Sequence, residues 1–187
     1  MSHKLDRRKK YTRMVLRQSL MEILKQKPIN SITIKEICEK ADINRSTFYT
    51  HYASQYDLLH QIEEEIIKDM NETLASYNYS KEDEGLEMTT KLLEYVVENK
   101  EMCETLLSAH GDVTFKKRII KHALEHTVHN LVQENQVDKE LTEYISLFYV
   151  SGSMQVIETW LKNGMDKTPK AMAQMITDLA NKGISGL

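Results

Sequence analysis

Cysteine, proline and glycine are scarce in this chain of 187 residues. The two cysteines, Cys38 and Cys103, lie far apart and form no CxxC pair. That excludes a disulfide scaffold and a Cys-rich zinc module, and it fits a reducing, cytoplasmic setting. Two Pro and six Gly beside 28% charged residues argue against a loop-rich β fold and against low complexity. Residues 1–10 are charged and carry no apolar h-region, so no secretory signal is expected. The uncharged run 144–157 is too short to span a bilayer, and no membrane partner is expected. P-loop, dinucleotide and nucleophile-elbow fingerprints do not occur. A chain of this length buries roughly 70% of its unfolded surface, so it needs no disulfide or metal to fold, and no cofactor is assigned.

Charge is unevenly placed. Residues 1–60 hold 12 Lys and Arg against 6 Asp and Glu, whereas residues 61–187 hold 13 against 22. A basic segment on an acidic body suits nucleic acid or another anionic surface as partner of the first part. A solvated charged face explains the same asymmetry, so charge alone leaves both readings open.

Helical periodicity runs through nearly the whole sequence, which predicts an all-α fold. A first helix is expected over 8–25, with Leu16, Leu20, Ile23 and Leu24 inward. Lys27-Pro28 ends it. Thr33 and Glu36 have the spacing of a capping box and open a short helix to about Lys40. Asp42-Ile43-Asn44 makes a turn, with Asp42 a candidate for the left-handed conformation. Asn44 caps a third helix, 45–52. Ser54 and Asp57 start a fourth, to about Tyr77. Residues 78–85 read as a loop. Further helices are expected over 86–99, 100–109, 113–134, 139–163 and 169–181. Gly164 suits a helix C′ position and Pro169 a first helical position.

Two short helices joined by a tight turn and preceded by a third have the layout of a helix-turn-helix DNA reader. Such a reader needs a second helix with hydrogen-bonding groups on its exposed face. Arg45, Ser46, Thr47, Thr50 and His51 supply them, and Arg can bond guanine O6 and N7 together. Tyr49 and His51 can hold phosphates, which fixes register without reading sequence. Phe48 and Tyr52 are four apart and face the core. A plain helical hairpin inside an all-α domain has the same pattern, and pattern alone does not separate the two.

The stretch from Ile32 to Tyr52, ITIKEICEKADINRSTFYTHY, followed by Tyr56-Asp57-Leu58-Leu59, resembles the DNA-binding signature of the TetR (tetracycline-repressor-like) family of bacterial transcription regulators. The resemblance implies a homodimer with a helix-turn-helix domain, here 1–59, and an all-helical dimerisation and effector domain, here 60–187. It implies contacts with an operator in double-stranded DNA from Thr33, Arg45, Ser46, Thr47, Tyr49, Thr50, His51 and Gln55. Two positions depart from the pattern. Asp42 stands where the family usually has Gly, and Gln55 where a Lys commonly meets phosphate; the helix N-terminus there can still hold one. Residues 148–153 and 160–165 resemble the dihydroxyacetone-kinase-regulator-like subgroup.

The second half has a helix that is apolar all round, which must be covered all round. Leu141, Leu147, Val150, Met154, Ile157 and Leu161 form one stripe, and Ile145, Phe148, Tyr149, Gly152, Val156 and Trp160 another. One covers the chain's own core and the other a partner copy. Ile145, Phe148, Gly152, Val156 and Trp160, with Met172, Met175, Ile176 and Leu179, are the candidate dimer interface. A central helix of a monomer is the alternative. A two-fold dimer presents two recognition helices to a pseudo-palindromic site.

Tyr95, Met102, Cys103, Leu107, His110, Phe115, Tyr149 and Met154 are candidates for an effector pocket, as apolar walls with a few polar tips. Ordinary core has the same composition. His122-Ala123-Leu124-Glu125-His126 fits H-x-x-E-H, with His129 one turn on. A polar helix surface explains it as well, and no catalytic or metal site is assigned. Three readings follow: a ligand-responsive repressor, a regulator controlled by a protein partner, and, remotely, a helical metal-dependent hydrolase.

Overall fold

The computed structural model describes residues 2–77, 82–108, 110–134 and 139–182, and every described element is helical. The chain forms two compact units: residues 1–66 with 105–115, and residues 67–104 with 116–187. The sequence boundary at 59/60 falls inside a continuous helix, Gln55–Ala75.

In the first unit, helix α1 (Ser2–Leu24) begins six residues before its apolar stripe requires. Lys and Arg are good helix formers and carry it outward, while Thr12, Leu16, Ser19, Leu20 and Leu24 are buried. A single 3-10 turn, Ile29–Ser31, leads to α2 (Ile34–Ala41). The expected capping box is present: Thr33 Oγ1 accepts from the Glu36 N–H at 3.3 Å, and Glu36 Oε2 accepts from the Thr33 N–H at 2.9 Å. Lys40 pairs with Glu22 across the α1–α2 packing.

Asp42 adopts the left-handed conformation, φ 52° and ψ 45°. The Ile43 N–H reaches back to Cys38 O at 3.0 Å, so a non-Gly residue closes α2 in a Schellman-like turn. Asn44 caps α3 (Arg45–Tyr49), its side chain accepting from the Ser46 N–H. The regular helix stops three residues short of the expected Tyr52. The Thr50 and His51 N–H groups bond three residues back and tighten the turn, although the Tyr52 N–H still reaches Phe48 O at 3.0 Å. Ser54 and Asp57 cap α4 (Gln55–Ala75), with the Asp57 N–H donating to Ser54 Oγ at 3.1 Å. Asp57 also accepts from the Ala53 N–H and from Gln61 Nε2.

Helix α5 spans Glu82–Glu98, α6 Lys100–Leu106 and α7 Val113–Glu134. The loop expected over 78–85 is helical from Glu82, because acidic residues at 82–84 suit the positive end of a helix; 78–81 lie outside the described residues. So does Ala109, the expected end of α6. In the break that follows, a Cβ on Gly111 would lie 2.1 Å from Leu106 O, so only glycine fits. Asp112 then caps α7, accepting from the Thr114 N–H at 2.8 Å.

Helices α8 (Lys139–Lys162) and α9 (Pro169–Lys182) complete the second unit. Its core gathers Leu93, Trp160, Met172, Ala173 and Ile176, where α5 packs on α9. The α8–α9 turn has two consecutive left-handed residues, Gly164 and Met165. The Met165 N–H bonds Trp160 O at 2.8 Å, and Trp160 Nε1 donates to Lys167 O at 3.1 Å. No helix among the described residues is long and apolar enough to cross a membrane.

Candidate nucleic-acid interface

Phe48 and Tyr52 fix the orientation of α3. Both are buried, with ring centroids 5.7 Å apart. With that side turned inward, Arg45, Ser46, Tyr49 and Thr50 are exposed, while Thr47, His51 and Gln55 are half-buried. Tyr49 stands edge-on to Phe48 at 5.7 Å, so its ring is braced while its hydroxyl end is free to reach outward. Phe48 and Tyr52 point inward as the sequence indicates, and Arg45, Ser46 and Thr50 outward, whereas Thr47 and His51, expected on the exposed face, are half-buried.

Two candidate contacts are engaged within the chain. The Thr50 hydroxyl donates to Thr47 O at 2.7 Å. The Thr33 hydroxyl and N–H both meet Glu36 Oε2 at 2.9 Å. Lys27 Nζ, 2.5 Å from Glu36 Oε1, completes a local charge-assisted cluster. Lys27 first, and then Thr33, hold the Glu36 carboxyl down to about 2. An anion approaching the α2 N-terminus therefore meets a carboxylate already in place.

Burial lowers the His51 pKa, and the positive charges of Arg13 and Lys9 lower it further. Burial pushes the Cys38 thiol up, against the opposing effect of Arg45. An open hollow of about 660 Å³ lies beside the turn, with Cys38, Asp42, Asn44 and Arg45 on its walls. Lys27, the Asp57 clamp at Ala53 and the Arg17–Glu65 pair went unseen in the sequence. Only Asp57 had a local signal there, three residues after Ser54.

The effector-pocket candidates divide between the two units. Leu107, His110 and Phe115 belong to the first unit, and Tyr95, Met102, Cys103, Tyr149 and Met154 to the second. Cys103, Phe115 and Met154 are buried. Tyr95 donates its hydroxyl to Asp69 Oδ2 at 3.0 Å. The Tyr149 hydroxyl bonds with Ser153 and Thr89, while burial raises its pKa. In the same unit an open hollow of about 300 Å³ is lined by other residues, among them Gln155, Thr159, Trp160 and Met175.

Of the candidate dimer residues, Trp160, Met172 and Ile176 are buried in the chain's own core. Ile145, Phe148, Gly152 and Leu179 are exposed, and Val156 and Met175 half-buried. Leu141 and Leu147, expected to face inward, are exposed beside Tyr144. The inward row of α8 instead uses Thr142, Ser146, Val150, Met154 and Glu158, the last paired with Lys116.

His122 Nδ1 lies 3.9 Å from Glu125 Oε2. No group of three or more potential metal ligands occurs among the described residues. The His129 side chain lies outside them.

A capped short helix, a left-handed turn and a second capped short helix with its polar side outward define a helix-turn-helix protein. Residues 18–62 match the model of bacterial regulatory proteins of the tetR family, and residues 83–182 match that of a transcriptional regulator C-terminal region. The chain belongs to the TetR family of bacterial transcription regulators. A curated relative, the uncharacterized HTH-type transcriptional regulator YxbF of Bacillus subtilis (strain 168), is 23% identical over 176 residues. That match takes in 89% of this chain but 44% of YxbF, so the chain spans less than half of that relative's length.

Solved structures share the fold. A TetR regulator from Streptococcus agalactiae 2603V superposes with a TM-score of 0.69 at 19% identity, covering 96% of this chain and 99% of that one. FadR from Bacillus subtilis, in complex with stearoyl-CoA, gives 0.68 at 14% identity, covering 91% and 98%. The dihydroxyacetone kinase operon activator DhaS gives 0.61 at 16% identity, covering 90% and 93%.

Proposed function

We propose that the protein is a sequence-specific DNA-binding repressor that acts as a homodimer on a pseudo-palindromic operator. The observation that carries this reading is the anchoring of α3: Phe48 and Tyr52 are buried while Arg45, Ser46 and Tyr49 stand exposed. Arg45 and Ser46 are assigned to base edges, and Tyr49 and His51 to phosphates. Gln55, at the first position of α4, meets a phosphate at the helix N-terminus.

Dimerisation is supported by α8. Leu141, Tyr144, Ile145, Leu147 and Phe148 are all exposed, and Phe148 is 84% so. A large contiguous apolar patch of this kind marks an interaction surface. A small-molecule effector modulates DNA affinity in this reading, as a difference in affinity for two states of the protein. FadR, which shares the fold, was solved with stearoyl-CoA. Within the second unit, a ligand reaching the half-buried Tyr149 would have to replace Ser153 or Thr89 as the partner of its hydroxyl.

The test is binding of the full chain to the DNA upstream of its own gene, titrated over salt. Saturable binding at one site, with affinity falling steeply as salt rises, is expected. Binding no better than to unrelated duplex at every salt concentration would count against it. The Arg45→Ala variant should relax preference at one base pair and cost ~1–3 kcal/mol.

A further inference from the structure

The outward side of α8 is divided at Gly152. Leu141, Ile145 and Phe148 precede it and Gln155, Thr159 and Asn163 follow it, all exposed and recurring every three or four residues on one side of the helix. The first half reverses the usual order of burial. Thr142 and Ser146 are buried, while the larger apolar side chains beside them face away from the chain. The second half borders the hollow of about 300 Å³, where Gln155, Val156, Thr159 and Asn163 of α8 meet Met172 and Met175 of α9. An apolar cavity of about 150 Å³ already admits benzene, so this hollow has room for a phenyl ring.

Nothing within the chain calls for a glycine at 152. The residue is exposed in the middle of a helix, where glycine is less favourable than alanine, and a Cβ there would meet nothing within 4 Å. The remaining use of a glycine in a helix is close approach, and here the approaching surface lies outside the chain.

We propose that a second copy packs antiparallel on α8 with the two-fold axis at Gly152, and that Phe148 of each copy fills the hollow of the other. The proposal rests on the homodimer reading and goes beyond it by fixing the axis, the register and the occupant of the hollow. Phe148 lies four residues before the axis and Val156 four after it, so a two-fold sets one against the other. Ile145 then faces Thr159, and Leu141 faces Asn163. Charge agrees with the antiparallel sense. Residues 139–143 hold two Glu and one Lys, whereas residues 162–170, at and just beyond the other end of the helix, hold three Lys and one Asp. Opposite helix ends also meet, which suits their dipoles.

The experiment oxidises variants of the full chain that each carry one added cysteine. The natural Cys38 and Cys103 are buried, and the wild type is the background. Gly152→Cys should link to its own copy, since only a residue on the axis meets itself within the ~7 Å that a disulfide spans between Cα atoms. Leu141→Cys should not, because at about 1.5 Å per residue its two copies lie roughly 33 Å apart along the helix. Coexpressed with the Asn163→Cys chain, it should link to that chain. Gly152→Leu should sediment at the chain mass with helix content unchanged, whereas Gly85→Leu, in equally open space on α5, should remain paired. A paired wild type in which Gly152→Cys stays unlinked, or in which Leu141→Cys links to itself, overturns the axis and leaves the homodimer standing. A wild type that sediments at the chain mass overturns the homodimer reading, and the axis with it.

Discussion

Thr33 and Glu36 cap each other at the start of α2: the Thr33 N–H donates to Glu36 Oε2 at 2.9 Å, and the Glu36 N–H to Thr33 Oγ1 at 3.3 Å. With Lys27 added, the carboxyl is held at about 2 against an ordinary 4.5. A carboxyl whose folded pKa is depressed stabilises the fold above its unfolded value. That contribution is lost as pH falls from about 4.5 towards 2. Acid unfolding of Glu36→Gln, followed by circular dichroism, should show a smaller fall in stability across that window than the wild type. Parallel curves would refute the assignment.

Asp42 sits in left-handed backbone that disfavours a side chain. Asp42→Gly should raise stability by about 1 kcal/mol, and Asp42→Val should lower it. Urea denaturation measures both. No gain for the glycine variant would mean that the Asp42 side chain compensates for its backbone strain.

Phe48 and Tyr49 are adjacent in sequence and opposite in role. Phe48 is fully buried, and truncation to Ala should cost ~3–5 kcal/mol of folding free energy. Tyr49→Phe should leave stability within about 0.5 kcal/mol. In the proposed complex it weakens DNA binding alike on every sequence, by the ~1 kcal/mol of one hydrogen bond. A sequence-dependent loss would move Tyr49 from phosphate to base contact.

Phe148→Glu places a charge in the exposed apolar patch of α8. Sedimentation should find the wild type at twice the chain mass and the variant at the chain mass, with helix content unchanged. A variant that still sediments as a pair would put the interface elsewhere.

The helix-turn-helix was legible because its signals are local. Thr33 with Glu36, Asn44 with Ser46 and Ser54 with Asp57 are bonds between near neighbours, and the Phe48–Tyr52 spacing gives the inward face. The α8 helix was harder. Periodicity shows that it is apolar on every side, yet does not say which apolar residues meet the same chain. Trp160, Met172 and Ile176 meet Leu93 and Ala173, a packing that depends on how α5 lies against α9. The Arg17–Glu65 pair spans most of the first unit in sequence, so no spacing rule reveals it.

Trp160 is the chain's only tryptophan, and it is 2% exposed. Its indole is tied to the carbonyl of Lys167 across the Gly164–Met165 turn. The molecule thus carries a single indole beside nine tyrosines, set where α8 hands over to α9 and excited alone beyond the tyrosine absorption edge. The indole of folded protein should emit at shorter wavelength than that of the unfolded chain, and its emission reports on the second unit alone. Any event that repacks α8 against α9 becomes visible as a colour or intensity change without a label.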